Sequence, residues 1–246
     1  MKLVIGCDTS NSYVSQLSKS LSSHQEIDAS EDSLYQFWWR PKDADVLHIH
    51  WPEALYDWKN PRSWEVARLA NVLDEWASMA SIVTTVHNHK PHDLKNWQRL
   101  YRLVYHSSDG IVHLGETSRR WFLDRYDFAS EKEHAVIPHG NYNCFSDRVT
   151  SSEARERLDL NTEDYVCLCF GNIRYPEERN LLVEAFDYLR MRSKKLVIAG
   201  RLPPLSRRRL RYWRLKYDPR IDIHEGWIPD EEVQLYLRAA DVLGTV

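Results

Sequence analysis

Short apolar runs alternate with amphipathic segments of about ten to fifteen residues along the whole chain, and this rhythm constrains the fold most. In the first half the apolar runs fall at residues 3–6, 45–50, 82–87, 110–114 and 135–138. Helical apolar spacing fills the intervals at residues 12–21, 64–79, 94–106 and 117–126. Strands that read as continuous apolar runs and alternate with helices are typical of parallel sheets built from βα units. The first half therefore predicts one such sheet.

A polar stretch at residues 146–163 interrupts the rhythm, and a second α/β pattern follows it. Strands are predicted near residues 165–170, 195–199 and 221–224, and helices near 179–191, 204–216 and 230–240. The stretch has only a weak helix-capping pattern, because Glu153 follows Ser151 at the second rather than the third position, so we interpret it as a linker. We predict a first Rossmann-like domain over 1–145, a linker over 146–163 and a partial second domain over 164–246. An open sheet edge after residues 241–243 would need covering, either by a partner chain or by residues outside this sequence.

Composition excludes several classes of protein. The chain has 246 residues, 43% hydrophobic and 28% charged, with a formal net charge of −3. This balance is that of a globular domain and gives no general attraction to nucleic acid. The four cysteines form no metal or redox spacing, and no signal peptide or run of about twenty apolar residues is present. These features predict a cytoplasmic protein.

In parallel α/β sheets, ligands bind beyond the carboxyl ends of the strands. One such end carries His48, His50, Trp51 and Glu53. His48 and His50 are two residues apart in a strand, so their side chains point to the same face. There they either pack against a helix or face a ligand. In the second interpretation, which we adopt for the site, His50, Trp51 and Glu53 contact a sugar or acceptor.

The next strand end carries His87, His89 and His92, three histidines in six residues. Zinc is one interpretation, but the spacing matches no standard zinc motif and no cysteine joins it. A substrate-facing loop is the other, with His87 closest to the sheet. We predict contacts from His89 and His92 to the acceptor or sugar, and neither a metal ion nor a cofactor.

Glycine and arginine recur at the ends of two strands in the second half. Gly171 is followed by Arg174, and Gly200 by Arg201. Glycine allows close approach of a ligand to the backbone, and the start of the helix behind it offers N–H groups to a phosphate. Two arginines could hold a diphosphate from both sides. The sequence therefore predicts donor binding by Gly171, Arg174 and Arg201.

Over nearly its whole length the chain resembles the GT-B glycosyltransferases, in particular family 4-like enzymes. FGNIRYPEERNLLVEAF aligns without a gap to the family pattern FGxIRxYKGxxxLLEAF, with Arg174 on the family arginine, and IAGR, DVLHIHWPE, TVHNHKPHD and VIPHGN also fit. The resemblance implies two Rossmann-like domains facing a cleft, the second incomplete here. It also implies a nucleotide-sugar donor, a saccharide or lipid-linked acceptor in polysaccharide or glycoconjugate synthesis, and a position for His87 near the transferred sugar.

The chain departs from that family at several positions. Glu177 and Glu178 stand where the family has Lys-Gly, and the family's later glutamate pair would lie beyond Val246. A carboxylate near a diphosphate repels it. A degenerate, non-catalytic relative that binds a donor or partner is therefore the alternative hypothesis, and a nucleotide-sugar epimerase is a third.

A basic run at residues 207–216 has two interpretations. Its arginines form either a solvated helix face or a contact with anionic lipid at the inner face of the membrane, or with the diphosphate of a lipid-linked acceptor. The second would make the protein peripherally membrane-associated.

Overall fold

The structure is a computed structural model that describes residues 1–6, 12–39, 43–91, 97–143, 145–203, 215 and 217–244. The chain divides into two compact units, residues 1–140 and 141–246. The predicted helix at 204–216 and the basic run within it lie almost entirely outside the described residues, as does His92.

The first unit is built on a six-stranded parallel sheet. Its strands, in chain order, are β1 (Lys2–Gly6), β2 (Asp28–Asp32), β3 (Val46–Ile49), β4 (Ser81–Val86), β5 (Gly110–His113) and β6 (Glu133–Val136). They are arranged in the order β2-β1-β3-β4-β5-β6. The chain therefore builds outwards in one direction through β2, and in the other through β3 to β6.

The described residues form five helices beside this sheet: α1 (Ser12–Ser22), α2 (Leu34–Trp39), α3 (Ser63–Ala77), α4 (Trp97–Ser107) and α5 (Glu116–Arg125). Short 3₁₀ helices span Pro52–Tyr56 and Ala129–Glu131. The apolar stripe of α3 buries Leu69, Leu73 and Trp76 completely in the same core as Leu47 and Ile49 of β3. The apolar face of α3 and the apolar residues of β3 thus pack into one core.

Strand β2 and helix α2 are absent from the sequence prediction. Asp28, Glu31 and Asp32 make β2 too acidic to resemble a buried strand. Because β2 is the edge of its sheet and pairs only with β1 among the described residues, such charges are tolerated there.

The second unit holds a four-stranded parallel sheet in the order β10-β7-β8-β9. Its strands are β7 (Tyr165–Phe170), β8 (Lys194–Gly200), β9 (Ile221–Glu225) and β10 (Val242–Leu243), and its described helices are α6 (Ser151–Arg157), α7 (Pro176–Tyr188) and α8 (Val233–Ala239). Cys167 and Cys169 lie buried in β7 as free thiols, as the alternation of that strand predicts.

The segment that we expected to be a linker contains α6. Thr150, rather than Ser151, begins the capping box: its hydroxyl accepts the Glu153 N–H at 3.3 Å, and the Glu153 carboxylate accepts the Thr150 N–H at 2.9 Å. Arg155 is buried and donates to the carbonyls of Thr162 (2.8 Å), Asp164 (3.0 Å) and Ala239 (3.1 Å). Helix α6 is therefore anchored into the second unit.

No helix within the described residues is long and apolar enough to cross a bilayer.

Candidate functional site

The strand order of the first unit reverses between β1 and β3. At such a point the connections leave in opposite directions and open a crevice beyond the carboxyl ends of the strands. Strand β3 ends at Ile49, so His50 and Trp51 emerge there, and His87 emerges from the adjacent β4. The fold thus brings the two predicted histidine motifs to one sheet edge.

The histidines contact each other directly. Nδ1 of His50 lies 3.0 Å from Nε2 of His87, and Nε2 of His48 lies 2.8 Å from the Thr85 hydroxyl. The His48 and His50 rings are 4.2 Å apart. His50 is completely buried, whereas His87 retains partial exposure. Of the bonded pair, His87 is therefore the ring that can meet a ligand, and His50 lies behind it. His48 is half-buried as well, with its Nε2 at the Thr85 hydroxyl.

Burial keeps these imidazoles neutral. It lowers the pKa of His48 to about 4, and that of His87 to about 3 with a smaller contribution from His139. The pKa of His50 is lowered still further, first by burial and then by His48 and His87. At neutral pH each ring therefore carries one proton and offers one donor and one acceptor.

Trp51 and Glu53, both predicted to contact substrate, are buried. The Trp51 ring is 9% exposed and stacks on His87 at 4.2 Å and 24°. Glu53 is 3% exposed and accepts a 2.6 Å hydrogen bond from the Tyr101 hydroxyl. Burial raises the pKa of Glu53, and the bond from Tyr101 opposes that rise. Trp51 thus packs against His87, and Glu53 is held in the interior by Tyr101.

His89 lies in the loop after β4 and is exposed. Its ring stacks on Trp121 of α5 with centroids 4.2 Å apart and an angle of 6°. The guanidinium of Arg125 lies 5.6 Å from the same Trp121 ring. His89 is therefore joined to α5 rather than to the His50–His87 cluster.

Two aromatic residues of the site escaped the sequence prediction. Tyr13 in α1 makes edge contacts with His50 (5.4 Å) and His87 (5.1 Å) and lies 4.7 Å from His139. Trp58 is 47% exposed, lies 6.0 Å from Trp51 and has a φ of 59°. Positive φ in a bulky residue is strained, a feature that clusters at functional sites. No local sequence pattern marks either Tyr13 or Trp58 as a residue of the site.

The second unit brings the two glycine–arginine motifs together. A Cβ added to Gly200 (φ 142°) would lie 1.8 Å from the carbonyl oxygen of Gly171 (φ 106°), so only glycine fits at this approach. The Ile173 N–H donates to the Arg201 carbonyl at 3.0 Å. This bond ties the loop of Arg174 to the loop of Arg201. Arg174 and Arg201 are exposed at the carboxyl edge of β7 and β8.

The amide groups that we expected to face a phosphate already have an acceptor. Oε2 of Glu178 accepts the Arg174 N–H at 2.9 Å and the Tyr175 N–H at 3.1 Å. Glu178 is the third residue of α7, where a carboxylate also complements the helix dipole. A carboxylate of the chain itself thus occupies the position at which an anion would bind.

Among the described residues, no group of three or more histidine, cysteine, aspartate or glutamate side chains is arranged to hold a metal ion.

Known protein families and curated proteins give no match to this sequence. Solved structures match nearly all of it. HepE from Anabaena in complex with UDP and glucose has a TM-score of 0.67 at 11% identity, over 99% of this chain and 73% of its own. Sucrose-phosphate synthase from Thermosynechococcus elongatus has a TM-score of 0.68 at 13% identity, over 99% and 74%. The catalytic domain of starch synthase IV from Arabidopsis thaliana, bound to ADP and acarbose, has a TM-score of 0.60 at 9% identity, over 98% and 77%.

These structures are GT-B glycosyltransferases, and the chain shares their fold. The predicted fold class, α/β with Rossmann-like domains of the GT-B type, is therefore confirmed.

Proposed function

We propose that this chain is a glycosyltransferase that moves a sugar from a nucleotide-diphosphate donor to a saccharide or lipid-linked acceptor. One observation carries the proposal beyond the fold. The Gly171–Gly200 approach and the bond from Ile173 to Arg201 bring together, at one sheet edge, the two loops that carry the exposed Arg174 and Arg201. Paired guanidinium groups complement a diphosphate and neutralise the charge that develops as it leaves.

In this proposal the first unit meets the sugar. His87 is a partly exposed imidazole close to the point where the strand order reverses. Its low pKa makes it a neutral hydrogen-bonding group at pH 7. Trp51 is buried and stacks on His87, whereas Trp58 is about half exposed, and in this proposal its exposed part contacts a sugar ring. Synthesis of a polysaccharide or glycoconjugate at the cytoplasmic side of a membrane is the setting that we propose.

A non-catalytic binding relative is the second candidate, and Glu178 favours it. Its carboxylate accepts the hydrogen bonds of the Arg174 and Tyr175 N–H groups, and it would repel a diphosphate placed beside them. In this case the second unit keeps the fold of a donor-binding domain without binding the donor tightly.

Calorimetric titration of the purified chain with UDP and with GDP separates the two candidates. The enzyme hypothesis expects one of the two to bind, and expects Arg174→Ala to weaken that binding about 10- to 100-fold, since a charge-assisted hydrogen bond contributes about 1.5–3 kcal/mol. Unchanged affinity in that variant would remove Arg174 from the site.

The binding-relative hypothesis expects little nucleotide binding by the natural chain and a gain in Glu178→Gln, because the amide keeps an acceptor for the two N–H groups and removes the charge. Glu163→Gln is the matched control, since this exposed glutamate lies just before β7, at the opposite end of that strand from Gly171 and Arg174. A folded natural chain that binds neither nucleotide would refute the enzyme hypothesis.

A further inference from the structure

The bond between His50 and His87 has only two neutral forms. Nδ1 of His50 and Nε2 of His87 are 3.0 Å apart, so one nitrogen donates its proton and the other accepts it. The remaining nitrogen of His50, Nε2, is buried and has no hydrogen-bond partner among the described residues. The state of that atom decides between the two forms.

If His87 donated from Nε2, His50 would accept at Nδ1 and carry its own proton on Nε2. That N–H group would be buried without an acceptor, at a cost of about 1–3 kcal/mol, and buried orphan N–H groups are rarer than orphan acceptors. If His50 donates from Nδ1, its Nε2 is a bare lone pair beside aromatic rings. His87 then accepts at Nε2 and carries its proton on Nδ1. The second form is the favoured one.

Neighbouring rings fix the orientation of His87 as well. Trp51 stacks on it at 4.2 Å, and Tyr13 approaches it edge-on at 5.1 Å with an angle of 89°. With one ring nitrogen bonded to His50 and one face covered by Trp51, the group that His87 has left for a ligand is Nδ1–H. This group donates a hydrogen bond and cannot accept a proton.

We propose that His50 is a positioning residue that holds His87 in the Nδ1–H tautomer, so that His87 serves the bound sugar as a hydrogen-bond donor and not as a base. The role of the sugar rests on the proposed function, whereas the tautomer rests only on the first unit. Replacing His50 acts on the reaction through His87, because the completely buried His50 has no surface for a substrate.

Long-range ¹H–¹⁵N correlation spectra of the full chain, labelled at histidine, report which nitrogen of each ring is protonated. We expect both His50 and His87 to carry the proton on Nδ1 at pH 7. A spectrum with the His87 proton on Nε2 overturns the proposal. Single His50→Asn and His87→Gln variants assign the two signals.

The same spectrum contains an internal control. Nε2 of His134 lies 2.8 Å from the Ala129 carbonyl, so it must donate, and its Nδ1 must accept from Nε2 of His113 at 2.9 Å. Both rings of this second pair are therefore expected to be Nε2–H tautomers. Because these rings lie in the same unit, their unchanged signals show that a variant remains folded.

Two substitutions at His50 test the positioning role. His50→Leu removes the donor, and the His87 signal is expected to change from a single tautomer to a mixture of both. His50→Asn keeps an N–H donor near the original Nδ1 and should restore the single Nδ1–H form. A single unchanged tautomer in His50→Leu, with the His113–His134 control intact, overturns the positioning role. Failure of the proposed function is seen separately, as absence of UDP and GDP binding in calorimetry.

Discussion

Substitution of Gly200 by alanine tests the contact that joins the two arginine loops. The added Cβ would stand 1.8 Å from the Gly171 carbonyl oxygen, whereas ordinary contacts begin near 3.4 Å, and the backbone φ of 142° is itself unfavourable for alanine. The conformational term is about 1–3 kcal/mol, and forced overpacking adds about 1–3 kcal/mol. We therefore expect Gly200→Ala to lower the free energy of unfolding of the second unit by about 2–6 kcal/mol.

Two further glycines separate those terms. Gly171 has a φ of 106° but open space around its would-be Cβ, so Gly171→Ala should cost only the conformational term of about 1–3 kcal/mol. Gly140 has open space and no positive φ, and Gly140→Ala should leave the second unit unchanged. Hydrogen exchange of β7 and β8 amides, followed by mass spectrometry, measures the opening free energy of this sheet alone. Equal losses in Gly200→Ala and Gly171→Ala would refute the close approach.

Arg155→Ala should destabilise the second unit by about 3 kcal/mol, because removal of a buried guanidinium leaves Asp241 and several carbonyls without their donor. Urea denaturation measures this change, and a loss below about 1 kcal/mol would contradict the anchoring role. Arg238→Ala, which breaks an exposed ion pair, is the matched control and should cost less than about 1 kcal/mol. The first unit should lose stability as pH falls below about 6.5, because histidines that stay neutral when folded bind protons when unfolded. His113, whose pKa burial lowers to about 4, accounts for about 2 kcal/mol of that loss by pH 5. His113→Gln should therefore show a smaller difference in urea stability between pH 7 and pH 5 than the natural chain, and an equal difference would contradict its contribution.

The sequence predicts the sheets well because buried parallel strands are largely apolar, as in β7. Where a strand is freed from that requirement, as at the acidic edge strand β2, the pattern disappears. Helix α6 was missed for another reason: its cap begins at Thr150, one residue before the serine at which we placed the pattern. The capping residues were present in the sequence, but a shift of one residue in where the box begins decides whether it is recognised as a helix start.

The candidate site can be predicted from the sequence only to the extent that the ends of the strands can be predicted. The rule that ligands gather beyond the strands selects His50 and His87, and the pairing of β3 with β4 makes them neighbours. Tyr13 of α1 contacts both rings, yet in the sequence it looks like any residue of an amphipathic helix. The same holds for Glu178, whose carboxylate reaches back to amides that the pattern alone leaves open.

The anchoring of α6 sets a practical limit on how the second domain can be separated from the first. A fragment that starts at the first strand, Tyr165, would lack Arg155 and expose the Ala239 carbonyl and the Asp241 carboxylate that it holds. A start before Asp147 retains the capping box and the ion pair from Asp147 to Arg238. Dissection of this protein into independently folding halves should therefore cut close to residue 140, ahead of the segment that the sequence suggests is dispensable.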